Sequence, residues 1–280
     1  MSEVFELYDA QGVLRRPGSW TKPEGFVSAV PPYEDQPEMP LWDDADIRKV
    51  LSDPNRRRCE EIFDSAHWIS DQLSTSACNG HAAANALSRA RYLRGITDAE
   101  VLSGSFVYSL INGGRDSGSM LEDGLIAIEK YGAPPASLVG PTMIYPYLQP
   151  KSAREAALKH RGLECYRAKT KQGWRSGLAA GFQGIAAVGA GRNFMSSSNL
   201  VSLNTGTSCA VRLNRVDFST GNHAVAIADM RIVNGTEWYQ IANSWNLHWG
   251  SKGLAWVSFE WFEQCWSSHC FYLIPSSQEA

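Results

Sequence analysis

Apolar positions in this chain follow two regimes. In the first half they recur at helical intervals, and beyond about residue 180 they cluster in short, nearly continuous runs. The clearest helix signal spans Ser119 to Lys130, where Leu121, Leu125 and Ile128 share one face and Tyr131-Gly132 marks the stop. Gly80 to Ala90 predicts a second helix, carried by alanine, the strongest helix former. Ser74, Thr75 and Ser76 stand ahead of it as cap candidates. The later runs predict strands over Gly184–Val188, Ser208–Leu213, His223–Met230, Glu237–Ile241, Leu254–Ser258 and Cys270–Ile274. The first residues of the third run, His223 to Ala228, barely alternate, the pattern of a strand buried in the core. Before all of this, Pro17, Pro23, Pro31, Pro32, Pro37 and Pro40 predict an extended arm with one short helix near Asp43 to Ser52. The expected organisation is an arm (1–58), a helical lobe (59–150) and a β lobe (151–280), with 59–280 forming one α+β domain.

Composition narrows the function classes. A chain of 280 residues with 44% hydrophobic positions builds a substantial core. Its net charge of −3 argues against nucleic acid as the main partner. The basic clusters Arg56-Arg57-Arg58 and Arg89 to Arg94 read as solvated helix surface rather than a phosphate track. No apolar run is long enough to span a bilayer, so no membrane association is expected. The six cysteines show no metal-ligand spacing, and neither a metal nor a cofactor is expected. A disulfide between Cys265 and Cys270 has no support in the sequence. With no basic-then-apolar leader pattern, a reducing, cytoplasmic compartment is the expectation, or the host cytoplasm or virion for a viral chain.

Candidate chemistry centres on Cys78, at the start of the alanine-rich helix. The nucleophilic form of cysteine is the thiolate, which the positive end of a helix dipole and a nearby imidazolium both favour. Gln72 lies six residues earlier and carries an amide that can donate to a developing oxyanion. Downstream stand Asn222-His223-Ala224-Val225, then Asn243-Ser244-Trp245-Asn246 and Trp249-Gly250. A histidine base, oriented by an asparagine amide, completes a Cys-His-Asn arrangement.

These segments resemble the papain family of cysteine peptidases, and the match is spread over most of residues 60 to 275. The resemblance implies a two-lobed fold, a helical lobe plus an antiparallel β-barrel-like lobe, with catalysis in the cleft between them. It implies Cys78 as nucleophile, His223 as base, Asn243 as orienter, Gln72 as oxyanion donor and Trp245 as the cover over the His–Asn bond. It also implies a glycine-containing segment that binds substrate backbone ahead of the Tyr131-Gly132 helix. Spacing favours Gly118-Ser119 with Met120, while Gly113-Gly114 after Asn112 is the alternative; Asn222 is a further candidate beside the substrate. Tyr145-Pro146-Tyr147 matches a structural segment of the family.

The departures are as specific. Asn79 stands where the family usually has Trp, and Gly80-His81 where it has Ala-Phe. Thr75 replaces the cysteine of secreted relatives, so their disulfide cannot form. His81 shares a helical face with Cys78 and reads as a locally packed residue. No charged-aromatic inhibitory helix precedes the domain. The arm has three readings: wrapping the body, docking an assembly partner, or covering the cleft. The function expected is peptide-bond hydrolysis on a peptide or protein substrate. The alternatives are another acyl transfer on the same scaffold (amidase, transpeptidase, deconjugating enzyme) or a non-enzymatic assembly component.

Overall fold

The computed structural model describes residues 37–56, 69–93, 96, 100–162, 165–191, 194 and 223–264 in full, and the backbone alone of 7–8, 14–15, 200–203, 208–211, 222, 265–266 and 271–274. In the arm, Leu7–Tyr8 (β1) and Leu14–Arg15 (β2) pair antiparallel, regular structure that the proline content does not announce. Helix α1 (Asp44–Ser52) begins where expected because the Asp43 carboxylate accepts the Asp46 N–H at 2.8 Å. Just ahead of it the chain runs beside β3 (Tyr166–Ala168). Met39 donates its N–H to the Arg167 carbonyl and Arg167 donates to that of Pro37, each at 2.8 Å. Arg175 of α6 (Lys171–Ala179) then clamps Asp44 at 2.5 Å and Glu237 at 2.8 Å. Residues 37–56 of the arm therefore wrap the sheet.

The alanine run forms α2 (Cys78–Leu93), buried from Cys78 through Arg91. Its small side chains let α3 (Gly104–Ile111) cross so closely that a Cβ on Gly80 would lie 2.3 Å from the Gly104 carbonyl oxygen. Helix α4 (Leu121–Tyr131) packs on both and ends at Gly132. Helix α5 (Lys151–Leu158) lies against α4.

The remaining strands are β4 (Gln183–Gly189), β5 (Leu200–Leu203), β6 (Ser208–Val211), β7 (Asn222–Val233), β8 (Thr236–Ala242), β9 (Leu254–Ser258) and β10 (Phe271–Ile274). They form one eight-stranded sheet ordered β3-β10-β4-β7-β8-β9-β6-β5, antiparallel except where β6 runs parallel to β9. The central strands are buried on both faces, which explains their unbroken apolar sequence. Ile185, Ala187, Ala224, Ala226 and Ala228 share the core of α2. Ala186, Val188, Val225 and Ile227 face a second core with Trp174 of α6 and Trp261 and Phe262 of α7 (Phe259–Trp266).

The described arginines of the two basic clusters, Arg56, Arg89 and Arg91, are not solvated surface. Arg89 is fully buried and Arg91 nearly so, because α2 is covered by helices on one side and the sheet on the other. Arg56 reaches the buried Asp229 at 2.8 Å and donates to the Leu178 carbonyl at 3.3 Å. Burial pushes the Asp229 carboxyl above its usual range, and Arg56 opposes that shift. The Arg57, Arg58, Arg94 and Cys59 positions, and the side chains of Cys265 and Cys270, lie outside the described residues.

Candidate active site

Cys78 is the first residue of α2, 4% exposed and without a disulfide. No acidic side chain occupies the first turn, so the dipole's positive end is undiminished there by the helix's own residues. α2 packs along β7, and Cys78 belongs to the same buried cluster as Ala224, the residue after His223.

His223 sits at the second position of β7, fully buried. Its Nε2 lies 2.7 Å from the Asn243 side-chain oxygen. That oxygen also accepts the Ser244 backbone N–H at 2.8 Å. A backbone N–H must meet an acceptor, so the amide orientation is fixed and His223 Nε2 is the donor. In the neutral ring the proton is then on Nε2, and Nδ1 carries the basic lone pair. Asn243 follows β8 and donates its own N–H to the Gly253 carbonyl at 2.9 Å, which fixes its backbone.

Aromatic rings enclose this pair. Trp245 stacks on the imidazole with centroids 4.5 Å apart, and Phe194 meets the imidazole edge-on at 5.9 Å. Phe194 also packs on Trp245 and Trp249, and its carbonyl accepts the Trp249 indole N–H at 2.9 Å. Sequence reasoning missed Phe194: it lies in no recognisable motif, and only the fold brings it over the ring.

Gln72 is fully buried and tied to the same corner. Its backbone N–H donates to the Ser244 carbonyl at 2.9 Å, and its Oε1 accepts the Ser244 hydroxyl at 2.7 Å. Its Nε2 gives one hydrogen to the Thr75 carbonyl at 2.8 Å. Asp71 bridges to Trp245 and accepts from the Asn246 amide at 3.1 Å. Gln72, His223, Asn243 and Trp245 are thus held in one connected network through residues 244 and 71.

On the helical side, Gly118 and Ser119 are buried and Met120 half-buried at the start of α4. Gly118 donates its N–H to the Tyr108 hydroxyl at 2.9 Å. That hydroxyl donates to Asp116 at 3.2 Å, whose carboxylate also takes the Ser76 N–H at 2.8 Å. Burial and the Asp116 charge drive the Tyr108 pKa far upward, so the phenol stays protonated. Asn79 donates to the Ser119 hydroxyl at 3.0 Å and to the Met120 carbonyl. Gly114 lies in an exposed turn with open space around its Cα. Asn112 beside it is buried and donates to the Ile144 carbonyl at 2.7 Å. Asn222 opens β7 opposite Gly189.

His81 bridges the hydroxyls of Ser70 at 2.8 Å and Ser105 at 3.3 Å, the local role its helical position suggests. Burial lowers its pKa to about 4, so the ring is neutral at physiological pH.

No family sequence model and no curated protein sequence matches the chain. Solved structures do. The chain is similar to xylellain, a cysteine protease from Xylella fastidiosa, with a TM-score of 0.61 and 19% identity over 94% of this chain and 98% of that one. It is similar to procathepsin B S9 from Trypanosoma congolense, with a TM-score of 0.58 and 18% identity over 92% of this chain and 86% of that one. A stem bromelain precursor gives a TM-score of 0.61 and 17% identity, covering 92% and 80% of the two chains. Likeness at this identity establishes the architecture: the chain has the fold of the papain-like cysteine proteases.

Proposed function

We propose that this protein is a cysteine peptidase that hydrolyses peptide bonds through Cys78, His223 and Asn243. The observation that carries the reading is the doubly anchored Asn243 oxygen, which takes both the Ser244 N–H and His223 Nε2 and so leaves the imidazole's basic lone pair on Nδ1. A buried histidine held in one tautomer under two aromatic rings is the arrangement a thiol base needs.

The thiol proton of Cys78 passes to His223 Nδ1, and the helix N-terminus stabilises the resulting thiolate. The sulfur attacks the scissile carbonyl carbon, and the carbonyl oxygen becomes an oxyanion. The Cys78 backbone N–H and the Gln72 side-chain amide donate to it. The tetrahedral intermediate collapses, the C–N bond breaks, and the amine leaves with the proton from His223. Water then attacks the thioester while Nδ1 takes its proton. The second intermediate expels the thiolate, and the acyl group departs as a carboxylic acid.

Intact-mass analysis after treatment with an epoxysuccinyl peptide tests this. A single adduct on the wild type, absent from Cys78→Ala, is expected, followed by turnover of peptide substrates. A folded, reduced wild type that takes no adduct would sink the peptidase reading. Adduct formation without peptide turnover would move the assignment to another acyl transfer on the same triad.

A further inference from the structure

We infer that Asn79, the residue after the nucleophile, is a positioning residue that sets the substrate-binding segment Gly118–Met120; this rests on the peptidase reading. Asn79 is 3% exposed at the second position of α2. Both hydrogens of its amide nitrogen go to that segment, one to the Ser119 hydroxyl at 3.0 Å and one to the Met120 carbonyl. The other end of the segment is tied to the same stretch of chain: Gly118 to Tyr108, Tyr108 to Asp116, and Asp116 to the Ser76 N–H. The residues on either side of Cys78 therefore grip residues 116–120 from both ends.

The rest of the structure makes room for this. A Cβ on Gly124 of α4 would lie 2.4 Å from the Asn79 side-chain oxygen and 3.0 Å from its Cγ. A side chain at Gly124 and the amide at Asn79 exclude each other. The Asn79 oxygen is buried and has no hydrogen-bond partner among the described residues. A buried, unsatisfied acceptor is unfavourable, and an apolar residue would avoid it. Stability alone does not explain the amide; a donor aimed at Ser119 and Met120 does.

The consequence is geometric. The Gly118 N–H is already given to Tyr108, so the main chain that meets an extended substrate would begin at Ser119, the residue Asn79 holds. Asn79 thus couples the register of a bound peptide to the position of Cys78. A misplacement of this kind weakens peptide binding while leaving the thiol's own reactivity intact.

The test compares wild type, Asn79→Ala, Gly124→Ala and Ser119→Ala. Asn79→Ala is expected to raise KM for an extended peptide substrate about tenfold to a hundredfold, the worth of one to two buried hydrogen bonds. Alkylation of Cys78 by iodoacetamide, which needs no peptide subsite, should keep its rate and pH profile within about twofold. Gly124→Ala should act in the same direction by pushing on the amide from the other side. Ser119→Ala should raise KM only about threefold, because the Met120 bond remains. An unchanged KM in both Asn79→Ala and Gly124→Ala overturns the inference. So does a parallel fall in alkylation rate, which would place Asn79's effect on the nucleophile. Should Asn79→Ala fail to fold, Gly124→Ala and Ser119→Ala decide the matter alone. A wild type that no epoxysuccinyl peptide labels takes down the peptidase reading as well, whereas a labelled wild type with unmoved KM overturns only this inference.

Discussion

The two sides of the candidate site are built on different physics. On the sheet side, His223 and Asn243 are held by strands and shielded by Trp245, Phe194 and Trp249. Only a few polar atoms are involved, and their exclusion from water comes from aromatic area. On the helical side, Cys78 is flanked by polar residues: Asn79, His81, and the Tyr108–Asp116 pair. The sheet side carries the residues the papain family resemblance implies, whereas the helical side departs from them at Asn79 and His81. Aromatic burial is non-directional, so it tolerates small shifts that keep the rings in contact. Hydrogen-bonded positioning does not, since each bond needs its own partner atom at the right angle. The helical side is therefore where single-atom changes should tune binding, and the sheet side where they should cost stability and base strength.

The largest effect tests both sides at once. Cys78→Ala should reduce peptide hydrolysis to the uncatalysed background in a progress-curve assay, with the fold unchanged by circular dichroism; residual turnover would mean another nucleophile. Breaking the sheet side comes next. Trp245→Ala should destabilise the protein by about 3–5 kcal/mol, the range for removing a large buried aromatic. It should also lower kcat, because water reaches the His223–Asn243 bond. Urea titration beside steady-state kinetics separates the two effects, and a loss of stability with unchanged kcat would reduce Trp245 to core. Gln72→Ala, at the seam between the sides, should lower kcat by about 10²–10³, the usual worth of one oxyanion donor. A KM effect of the same size with kcat untouched would make Gln72 a scaffold for Ser244 instead.

Legibility in the sequence followed the same division. The helix at Leu121 and the strands β4, β7, β8 and β9 were readable because each combines enough residues with a clean pattern. Strand β3 has three residues, too few to show a period. Helices α3, α5, α6 and α7 gave no such signal and were not anticipated. Gly104 and Ser105 open α3, and Gly173 and Gly177 interrupt α6, all weaker helix formers than alanine or leucine. Cys78, His223 and Asn243 stood out because their neighbours form contiguous segments. Phe194 and Tyr108 did not, since what matters is what lies across from them in space. The arginines of α2 were misplaced because a charge run looks the same on a solvated helix and on one buried in the middle of the molecule. Asn79 was visible as a departure, but its partners Ser119, Met120 and Gly124 lie some 40 residues away in sequence.

The smallest effect concerns His81, the other departure on the helical side. Its ring is neutral and bridges Ser70 and Ser105, with burial holding the pKa down to about 4 and Asp71 opposing weakly. In the unfolded chain a histidine titrates near 6.5. Between those values the unfolded state binds a proton that the folded state excludes. The stability His81 contributes is therefore complete above about pH 6.5 and is lost as the pH falls through that value towards 4. The loss amounts to roughly 3 kcal/mol at most. Asp229 works with the opposite sign: its raised carboxyl pKa favours the protonated folded state, so its contribution grows as the pH falls. Acid destabilisation in this window is thus specific to the histidine among these two buried groups. Urea midpoints from neutrality down to about pH 4 should fall in the wild type and flatten in His81→Gln, whose side chain is polar and does not titrate in this range. An identical slope in the variant would assign the acid sensitivity elsewhere and leave His81 as packing alone.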